Sequence, residues 1–315
     1  MAGKVESGAG RVVVADALDP SAVALLRQSF EVVDVSKEPA KLGDAIGTAR
    51  GLIVRSRTQV DNALFEKAPR LEVVGRAGVG IDNIDVLAAH RKGVIVVNAP
   101  GAAAASVAEL TVGLLIAVAR DFDQHIPSLK QGRWTKGTNG FELQGRMAGI
   151  VGYGRIGREV GKRFRALGMG VQAYDPYVQR TDDGTALVSF DQLLASSDVV
   201  SVHAALSGSG EHLFAAETFG KMRKGAVLLN VARGKFVNEG DLLAAIDSGQ
   251  LYGAGLDVFE DEPPKNEKLL QHPHVVAVPH IGASTREAQE RAGRTVVEDV
   301  VRVLRGESPE FPVHV

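Results

Sequence analysis

The sequence predicts an α/β protein with two domains, each built around a parallel sheet. Short β-branched runs alternate with helical segments along the chain, which is typical of βαβ units. The length of 315 residues and the hydrophobic content of 45% suffice for two cores. Glycine is abundant, with 36 residues, and aromatic residues make up only 5%. This mixture favours closely packed helices and sheets over an all-β sandwich.

Ten apolar runs are predicted to form strands, too many for one common sheet. The domain break falls at APGAAAAS (99–106), which opens a long apolar helical pattern. Residues 102–286 are therefore expected to form the second domain. The ten runs are 11–15, 52–56, 73–77, 94–98, 149–153, 171–175, 199–203, 227–231, 253–257 and 275–279.

A final helix is predicted near the C-terminal end of the sequence. Ser284 and Glu287 stand at capping-box spacing, and an amphipathic run follows as far as Gly306. We expect this helix to return the chain to the first domain, so that residues 1–101 and 287–315 form one discontinuous domain. Two domains that the chain crosses twice would enclose a cleft.

Composition and charge exclude several classes of function. A net charge of −2 and a pI near 6.5 give no basis for binding nucleic acid or an anionic membrane, so the expected partner is a small molecule. The absence of cysteine excludes disulfides, thiolate nucleophiles and thiolate metal sites, and it is compatible with the cytoplasm. No signal peptide is evident, and the apolar run 107–119 is too short to span a bilayer, so it is predicted to be a buried helix.

No metal site is predicted either. His272 and His274 flank Pro273, but two imidazoles alone do not complete a metal shell. We expect both histidines to have structural roles.

A glycine motif indicates dinucleotide binding. In GIVGYGRIGREVGKRFRALG, Gly152, Gly154 and Gly157 have G-x-G-x-x-G spacing between a predicted strand and a predicted helix. The helix N-terminus would favour the diphosphate. Asp175 ends the next predicted strand, where a carboxylate accepts hydrogen bonds from the adenosine ribose and repels a 2′-phosphate. The motif therefore predicts a Rossmann domain that prefers NAD to NADP.

A second glycine-rich stretch, GRAGVGID (75–82), also follows a predicted strand. It lacks the third glycine and the acid at the end of a second strand. It is either a turn or an anion-binding loop of exposed backbone N–H groups, and the residues alone leave both interpretations open.

Polar side chains follow three of the predicted strands in the second domain, at the edge where ligands bind in doubly wound sheets. They are Arg233, the acidic run 260–262, and His280 in VPHIGAST. An imidazole can take a hydroxyl proton near neutral pH, and a carboxylate on its other nitrogen would fix the tautomer. An arginine fork can hold a substrate carboxylate. Spacing does not choose among Glu260, Asp261 and Glu262.

NVARGKFVNEGDL, GLDVFEDEPP and VPHIGAST, in this order behind the glycine motif, closely resemble the D-isomer-specific 2-hydroxyacid dehydrogenases, and most nearly the D-3-phosphoglycerate dehydrogenases. GLIVRS, VVGRAGVGIDNID and ASVAELTVGLL extend the resemblance over essentially the whole chain. The resemblance implies a flavodoxin-like substrate domain beside the NAD-binding domain. It also implies oxidation of D-3-phosphoglycerate to 3-phosphohydroxypyruvate, with hydride transfer to NAD.

The resemblance assigns roles to particular positions. Arg233 binds the substrate carboxylate and polarises the carbonyl, Glu262 pairs with the histidine, and His280 is the acid/base. The residues implied around the cofactor are Gly152, Gly154, Arg155, Ile156, Gly157, Asp175, Val231, Ala232, Asp257, Gly282 and Ala283. Those implied around the substrate are Arg55, Ser56, Arg76, Val79, Gly80, Lys136 and Arg233.

The sequence departs from the family in two segments near the expected cleft. HAALSGSGEHLF (203–214) replaces a proline- and threonine-rich stretch, and APGAAAAS replaces a more polar loop. Another 2-keto acid, such as glyoxylate or hydroxypyruvate, is therefore an alternative substrate, and a non-catalytic NAD-sensing protein is an alternative of a different class. Because the sequence ends at PEFPVHV, no serine-sensing regulatory domain is expected.

The apolar helix at 106–119 suggests a homodimer formed through the NAD-binding domain, as the family forms it. Packing inside the domain core is the alternative explanation for the same apolar pattern.

Overall fold

The computed structural model describes residues 10–134, 140–204 and 212–314. Its strands are β1 (Arg11–Val14), β2 (Glu31–Asp34), β3 (Ala49–Val54), β4 (Val73–Arg76), β5 (Ile95–Asn98), β6 (Met147–Val151), β7 (Gly170–Tyr174), β8 (Ala186–Leu187), β9 (Val199–Val202), β10 (Ala226–Asn230), β11 (Leu251–Leu256) and β12 (Val275–Ala277).

The helices alternate with these strands. They are α1 (Pro20–Arg27), α2 (Leu42–Ile46), α3 (Asn62–Glu66), α4 (Val86–Arg91), α5 (Ala104–Ala119), α6 (Phe122–Lys130), α7 (Arg155–Ala166), α8 (Phe190–Ser196), α9 (Ala216–Lys221), α10 (Glu239–Asp247), α11 (Glu267–Leu270) and α12 (Arg286–Leu304). Short 3₁₀ turns cover Pro39–Lys41 and Gly234–Phe236. Within the described part of the chain, no helix is both long and apolar enough to cross a membrane.

The chain forms two compact units. The first contains the residues up to Ala103 together with those from Ala283 onward, and the second is Ala104–Gly282. The five strands of the first unit run parallel in the order β2-β1-β3-β4-β5, which is the flavodoxin-like arrangement. Helices α1 and α12 cover one face of this sheet, and α2, α3 and α4 cover the other.

The second unit contains a seven-stranded sheet in the order β12-β11-β10-β9-β6-β7-β8. All of its strand pairs are parallel. The two directions of winding start from β6 and β9, as in Rossmann domains. Apolar side chains from α8 to α11 fill the core on one face, and α5 and α7 pack on the other. The predicted fold class, two doubly wound parallel-sheet domains, is confirmed.

The predicted helix over the apolar run 107–119 is part of α5 and is largely buried. The capping prediction for the last helix was wrong by one residue. Thr285, not Ser284, is the N-cap, and its hydroxyl accepts a hydrogen bond from the N–H of Ala288 at 3.2 Å. Extended backbone at Thr285 places its oxygen over the first turn, which residue spacing does not reveal.

Two strands of the structure were absent from the prediction. They are β2 and β8, which lie at sheet edges and have only four and two residues. Edge strands are half exposed, so their sequences lack the continuous apolar run that marks a buried parallel strand.

Candidate functional site

The glycine motif lies where the strand order of the second unit reverses. Strands β6 and β9 are neighbours, and their connections leave in opposite directions across the sheet. Ligands of doubly wound sheets bind beyond the carboxyl ends of the strands at this point. The motif begins after β6, and α7 starts at Arg155 with exposed backbone in its first turn.

The three glycines of the motif have different surroundings. A Cβ on Gly152 would lie 2.5 Å from the backbone nitrogen of Ala204, and a Cβ on Gly157 would collide with the carbonyl oxygen of Gly152. Gly154 faces open space, with no heavy atom within 4 Å of a Cβ built on it. The turn is therefore closed against the protein at its ends and open in the middle. A diphosphate can approach the backbone at Gly154 and the helix N-terminus behind it, so the residues present fit a dinucleotide.

Asp175 lies beside this turn, just past the end of β7. Its Oδ2 accepts a hydrogen bond from the N–H of Tyr153 at 2.8 Å, and its Oδ1 accepts one from the N–H of Tyr177 at 2.9 Å. The carboxylate is thereby fixed next to the glycine turn. Each oxygen keeps a further lone pair for a ribose hydroxyl.

His280 and Glu262 form the central pair of the candidate active site. Nδ1 of His280 lies 2.8 Å and 3.1 Å from the two carboxylate oxygens of Glu262. His280 has a φ of 51°, in the left-handed region, and its side chain is 55% exposed. Among the described residues, Nε2 of His280 has no hydrogen-bond partner. The ring therefore presents one free nitrogen and has a carboxylate on the other.

Asp257 holds the turn that follows His280. It is 2% exposed, and its carboxylate accepts hydrogen bonds from the N–H groups of Ile281 at 2.6 Å and Gly282 at 2.9 Å. Burial raises the pKa of Asp257, although the two N–H groups act in the opposite direction. Because the turn is fixed by a buried group, the position of His280 is defined by the fold.

Arg233 follows β10, and the turn that carries it is shaped by Asn230. The side chain of Asn230 is fully buried, donates to the carbonyl of Arg233 at 2.9 Å and accepts from the N–H of Ala232 at 3.2 Å. The next residue, Gly234, packs so closely that a Cβ on it would collide with the carbonyl of Phe259. This contact brings the turn with Arg233 against the start of the acidic run.

The structure separates the three acids of that run. Glu262 lies on His280, whereas the carboxylate of Glu260 contacts the imidazole of His212, and Asp261 pairs with Lys265 at 2.9 Å. Burial raises the pKa of the neighbouring Glu239, and the charges of Glu260 and Asp261 add to the effect. The structure therefore brings Glu262, and neither of the other two acids, to His280.

The remaining positions implied around the cofactor lie in the same turns. Val231 and Ala232 are buried at the end of β10, and Ile156 is half-buried in the first turn of α7. Arg155 and Ala283 are exposed.

The substrate residues implied by the resemblance lie on two loops of the first unit. Arg55 and Ser56 follow β3, and Val79 and Gly80 follow β4. The amide of Asn98 donates to the carbonyl of Val79 at 2.7 Å. No backbone carbonyl among the described residues accepts from the N–H groups of Val79 and Gly80, which suits an anion-binding loop.

Of the two further basic residues implied around the substrate, Arg76 lies in the described part of the chain. The guanidinium of Arg76 lies against Gly78, at the base of the 78–80 loop. Lys136 and residues 205–211 of the atypical segment lie outside the described residues.

The two histidines predicted to have structural roles, His272 and His274, lie beside acidic side chains. His272 lies 3.4 Å from Asp247, and His274 lies 3.2 Å from the buried carboxylate of Asp121. Over the described ranges, no group of three or more His, Asp or Glu side chains is arranged to hold a metal ion.

Sequence reasoning missed three buried polar residues that shape these loops: Asn230, Asp16 and Asn83. Each follows an apolar run at the carboxyl end of a strand or in the loop beyond it. A polar residue at such a position was the available signal, since buried amides and carboxylates are retained only when they are hydrogen-bonded.

Comparison with known proteins gives consistent matches. The family model for the D-isomer specific 2-hydroxyacid dehydrogenase, NAD binding domain, matches residues 112–282. D-3-phosphoglycerate dehydrogenase of Methanocaldococcus jannaschii is 44% identical over 310 residues, which are 96% of this chain and 59% of that relative. Hydroxypyruvate reductase of Thermotoga maritima is 44% identical over 300 residues, 93% of this chain and 98% of the relative.

A solved structure agrees with these sequence matches. The crystal structure of the TT0316 protein from Thermus thermophilus has a TM-score of 0.88 at 35% identity, covering 96% of this chain and 100% of that one. The chain thus spans 59% of the first relative and nearly the full length of the other two proteins.

Proposed function

The chain belongs to the D-isomer-specific 2-hydroxyacid dehydrogenase family, and from that premise we propose that it interconverts a D-2-hydroxy acid and its 2-keto acid with NAD. The single observation that carries this proposal is the His280–Glu262 pair, with Nδ1 of the imidazole 2.8 Å from the carboxylate. An exposed imidazole backed by an acid is the arrangement that proton transfer from an alcohol requires.

The pair determines which ring nitrogen of His280 would exchange a proton with the substrate. With Nδ1–H donating to Glu262, the lone pair of Nε2 is free to accept the hydroxyl proton of the substrate. As the O–H bond breaks, the C–H bonding electrons leave with the hydrogen as hydride, and the carbon–oxygen bond becomes a carbonyl. Glu262 stabilises the imidazolium that forms. In the reverse direction, His280 returns the proton to the alkoxide oxygen.

Arg233 would hold the substrate carboxylate through its two-pronged guanidinium. The buried Asn230 supports this by fixing the turn on either side of the arginine. A charge on the carbonyl oxygen of the substrate would be stabilised by the same guanidinium.

The cofactor would lie on the turn at Gly152, Gly154 and Gly157, with its diphosphate at the N-terminus of α7. The nicotinamide supplies the hydride acceptor. Asp175 would accept hydrogen bonds from the adenosine ribose and repel a 2′-phosphate, which favours NAD over NADP. Asp257 would contribute by holding the turn from Ile281 to Gly282.

We propose D-3-phosphoglycerate as the substrate and 3-phosphohydroxypyruvate as the product. Support comes from the 44% identity with the archaeal phosphoglycerate dehydrogenase and from the arginines of the first unit, Arg55 and Arg76, which would bind the phosphate together with Lys136. The equal identity of the hydroxypyruvate reductase favours a second candidate, reduction of hydroxypyruvate or glyoxylate. Both candidates use the same proton and hydride chemistry.

The two units would be the substrate-binding and NAD-binding domains. We propose a homodimer through the NAD-binding unit. Helix α5 is packed within its own unit, but the next helix, α6, exposes Phe122, Ile126 and Leu129 on one face. An exposed apolar stripe of this kind is typical of a subunit interface.

Steady-state rates on a panel of 2-hydroxy and 2-keto acids, each with NAD(H) and NADP(H), test the proposal. D-3-phosphoglycerate with NAD is expected to give the highest kcat/KM. A preference for hydroxypyruvate with NADH would select the second candidate. Tight NADH binding without turnover on any acid would instead indicate an NAD-sensing binding protein.

A further inference from the structure

A buried carboxylate supports the loop that follows β3. Asp16 is 3% exposed, and its Oδ2 accepts hydrogen bonds from the N–H of Arg55 at 2.6 Å and the N–H of Thr58 at 3.2 Å. Its Oδ1 accepts from the hydroxyl of Thr58 at 2.8 Å and from Nε of Arg57 at 3.1 Å. One side chain thus meets four donors from residues 55–58.

A buried amide holds the same loop through its carbonyl groups. Asn83 is 9% exposed, and its Nδ2 donates to the carbonyl of Arg55 at 2.9 Å and to the carbonyl of Thr58 at 2.6 Å. The backbone carbonyl of Asn83 accepts from the N–H of Val60 at 2.8 Å. Asn83 therefore also joins the 55–58 loop to the segment that carries the 78–80 loop.

The two side chains act on the same two residues in complementary ways. Arg55 and Thr58 each give an N–H to Asp16 and a C=O to Asn83. Burial by itself would raise the pKa of Asp16, but the N–H of Arg55, the hydroxyl and N–H of Thr58 and the charge of Arg57 lower it below its usual value. Asp16 is thus ionised, as strong acceptance from these donors requires.

The contacts that Asp16 and Asn83 make with Arg55 and Thr58, called the clamp below, leave the middle of the loop accessible. Ser56 and Arg57 are exposed, and Arg55 is half-buried. Because the backbone of the loop is fixed at both ends, little backbone conformational entropy is lost when the loop orders around a ligand.

We propose that Asp16 and Asn83 are positioning residues for the substrate: by clamping Arg55 and Thr58, they hold Arg55 and Ser56 ready to receive an anionic 2-hydroxy acid. This inference rests on the proposed function, because it takes Arg55 and Ser56 as substrate contacts. Neither residue is among those proposed to contact the cofactor or the reacting atoms. Their effect is therefore on substrate capture and not on the chemical step.

Two variants remove the clamp from opposite sides. Asp16→Asn keeps the shape of the side chain, but it loses the negative charge and places an NH₂ group against the N–H and O–H donors of the loop. Asn83→Ala removes the amide that donates to the carbonyl groups of Arg55 and Thr58. We expect each to raise KM for the hydroxy acid about tenfold or more, with kcat within about twofold, as expected when ground-state and transition-state binding weaken together. The Kd for NADH is expected to stay unchanged.

Asp299→Asn is the matched control. Asp299 is 1% exposed in the same unit and likewise accepts two backbone N–H groups, from Glu310 and Phe311, both at 2.8 Å, together with an arginine. These bonds hold the segment after α12 and not a substrate loop. The control is expected to lower the thermal unfolding temperature as Asp16→Asn does, with no change in KM.

The readouts are steady-state kinetics, NADH fluorescence for Kd, and thermal stabilisation by tartronate, a 2-hydroxy diacid, in the presence of NADH.

An unchanged KM in both clamp variants, or an equal rise of KM in the Asp299 control, overturns the proposal. If the wild type is stabilised by tartronate but turns over no acid, the proposed function fails, and the clamp stands only if its variants lose that stabilisation. If tartronate has no effect and no acid is turned over, both fail.

Discussion

His280 and His203 both lie beyond the carboxyl ends of strands in the same parallel sheet, yet their surroundings differ in every respect. His280 is on an exposed turn after β12, with a carboxylate on Nδ1 and, within the described ranges, no partner on Nε2. His203 directly follows β9, and its Nε2 forms a hydrogen bond with the hydroxyl of Ser201 at 2.7 Å. Its Nδ1 is buried and has no partner among the described residues.

The difference shows that a position at the ligand-binding edge does not by itself make an imidazole an acid/base. Burial lowers the pKa of His203 to about 3, so this ring stays neutral at the pH where the enzyme would work. His280 instead has an exposed side chain and a carboxylate on Nδ1, which is the arrangement that the proposed acid/base role requires. In that proposal the difference comes from the second group that the fold supplies, here Glu262.

The largest effect is expected for His280→Gln. Removal of the acid/base is expected to lower kcat by about 10²- to 10⁴-fold, since this is the usual contribution of general acid/base catalysis. The Kd for NADH should stay within about twofold because His280 is not part of the glycine turn. His272→Gln is the control, since His272 pairs with Asp247 and not with the site. Equal turnover of wild type and His280→Gln would refute the assignment.

Glu262→Gln tests the contribution of the carboxylate while the imidazole of His280 stays in place. A glutamine can hold the imidazole by a hydrogen bond but cannot stabilise the imidazolium, so kcat is expected to fall by about 10- to 100-fold. Glu260→Gln is the matched control from the same loop and is expected to change kcat by less than about threefold, since Glu260 contacts His212. Equal losses in the two variants would mean that the loop, and not the His280 contact, is what matters.

The low pKa of the half-buried His203 is expected to make the stability of the protein depend on pH in the acid range. Because the pKa of His203 is about 3 when folded and 6.5 ordinarily, its contribution is complete above pH 6.5 and is lost as the pH falls towards 3. The loss is about 1.4 kcal/mol per pH unit, or about 2 kcal/mol at pH 5. His203→Asn should flatten the dependence of the urea midpoint on pH between 7 and 5. An unchanged slope would show that the ring is more solvated than the structure indicates.

The smallest effect is expected for the second histidine–glutamate pair, His212–Glu260. Both side chains are partly exposed, at 44% and 34%, so their coupling in a double-mutant cycle of stability is expected to be about 0–1 kcal/mol. Variants His212→Asn and Glu260→Gln, with the double variant, provide the cycle. A coupling well above this range would show that His212 and Glu260 are held together more tightly than their exposure predicts.

The fold could be predicted, and the candidate site residues could be proposed, because both depend on local patterns. The G-x-G-x-x-G spacing and the polar residues after apolar strands are visible within a few positions of sequence. Which acid pairs with His280 could not be predicted from a local pattern. The pairing of Glu262 rather than Glu260 depends on how Gly234 packs against Phe259 and on where His212 lies. The resemblance to the family pointed to Glu262, whereas residue spacing did not.

The loop clamp was beyond prediction for a similar reason. Asp16, Asn83 and Arg55 come together only after three strands have paired, and nothing in their spacing indicates shared hydrogen bonds. The short edge strands β2 and β8 were missed because partial exposure removes the apolar signal. Local patterns therefore predicted the elements, while contacts between distant segments decided the details.

Helix α12 has a consequence for the order in which the chain can assemble on the ribosome. Its buried residues Val296 and Val300 complete the core on one face of the first sheet, against Val12 and Val14 at the other end of the sequence. The 104–282 unit can finish folding as soon as it emerges, but the first sheet remains uncovered on that face until α12 has been synthesised. The first sheet is thus protected on that face only after the later 104–282 unit has been translated, and nascent chains that stall before residue 286 would expose an apolar sheet to chaperones and proteases.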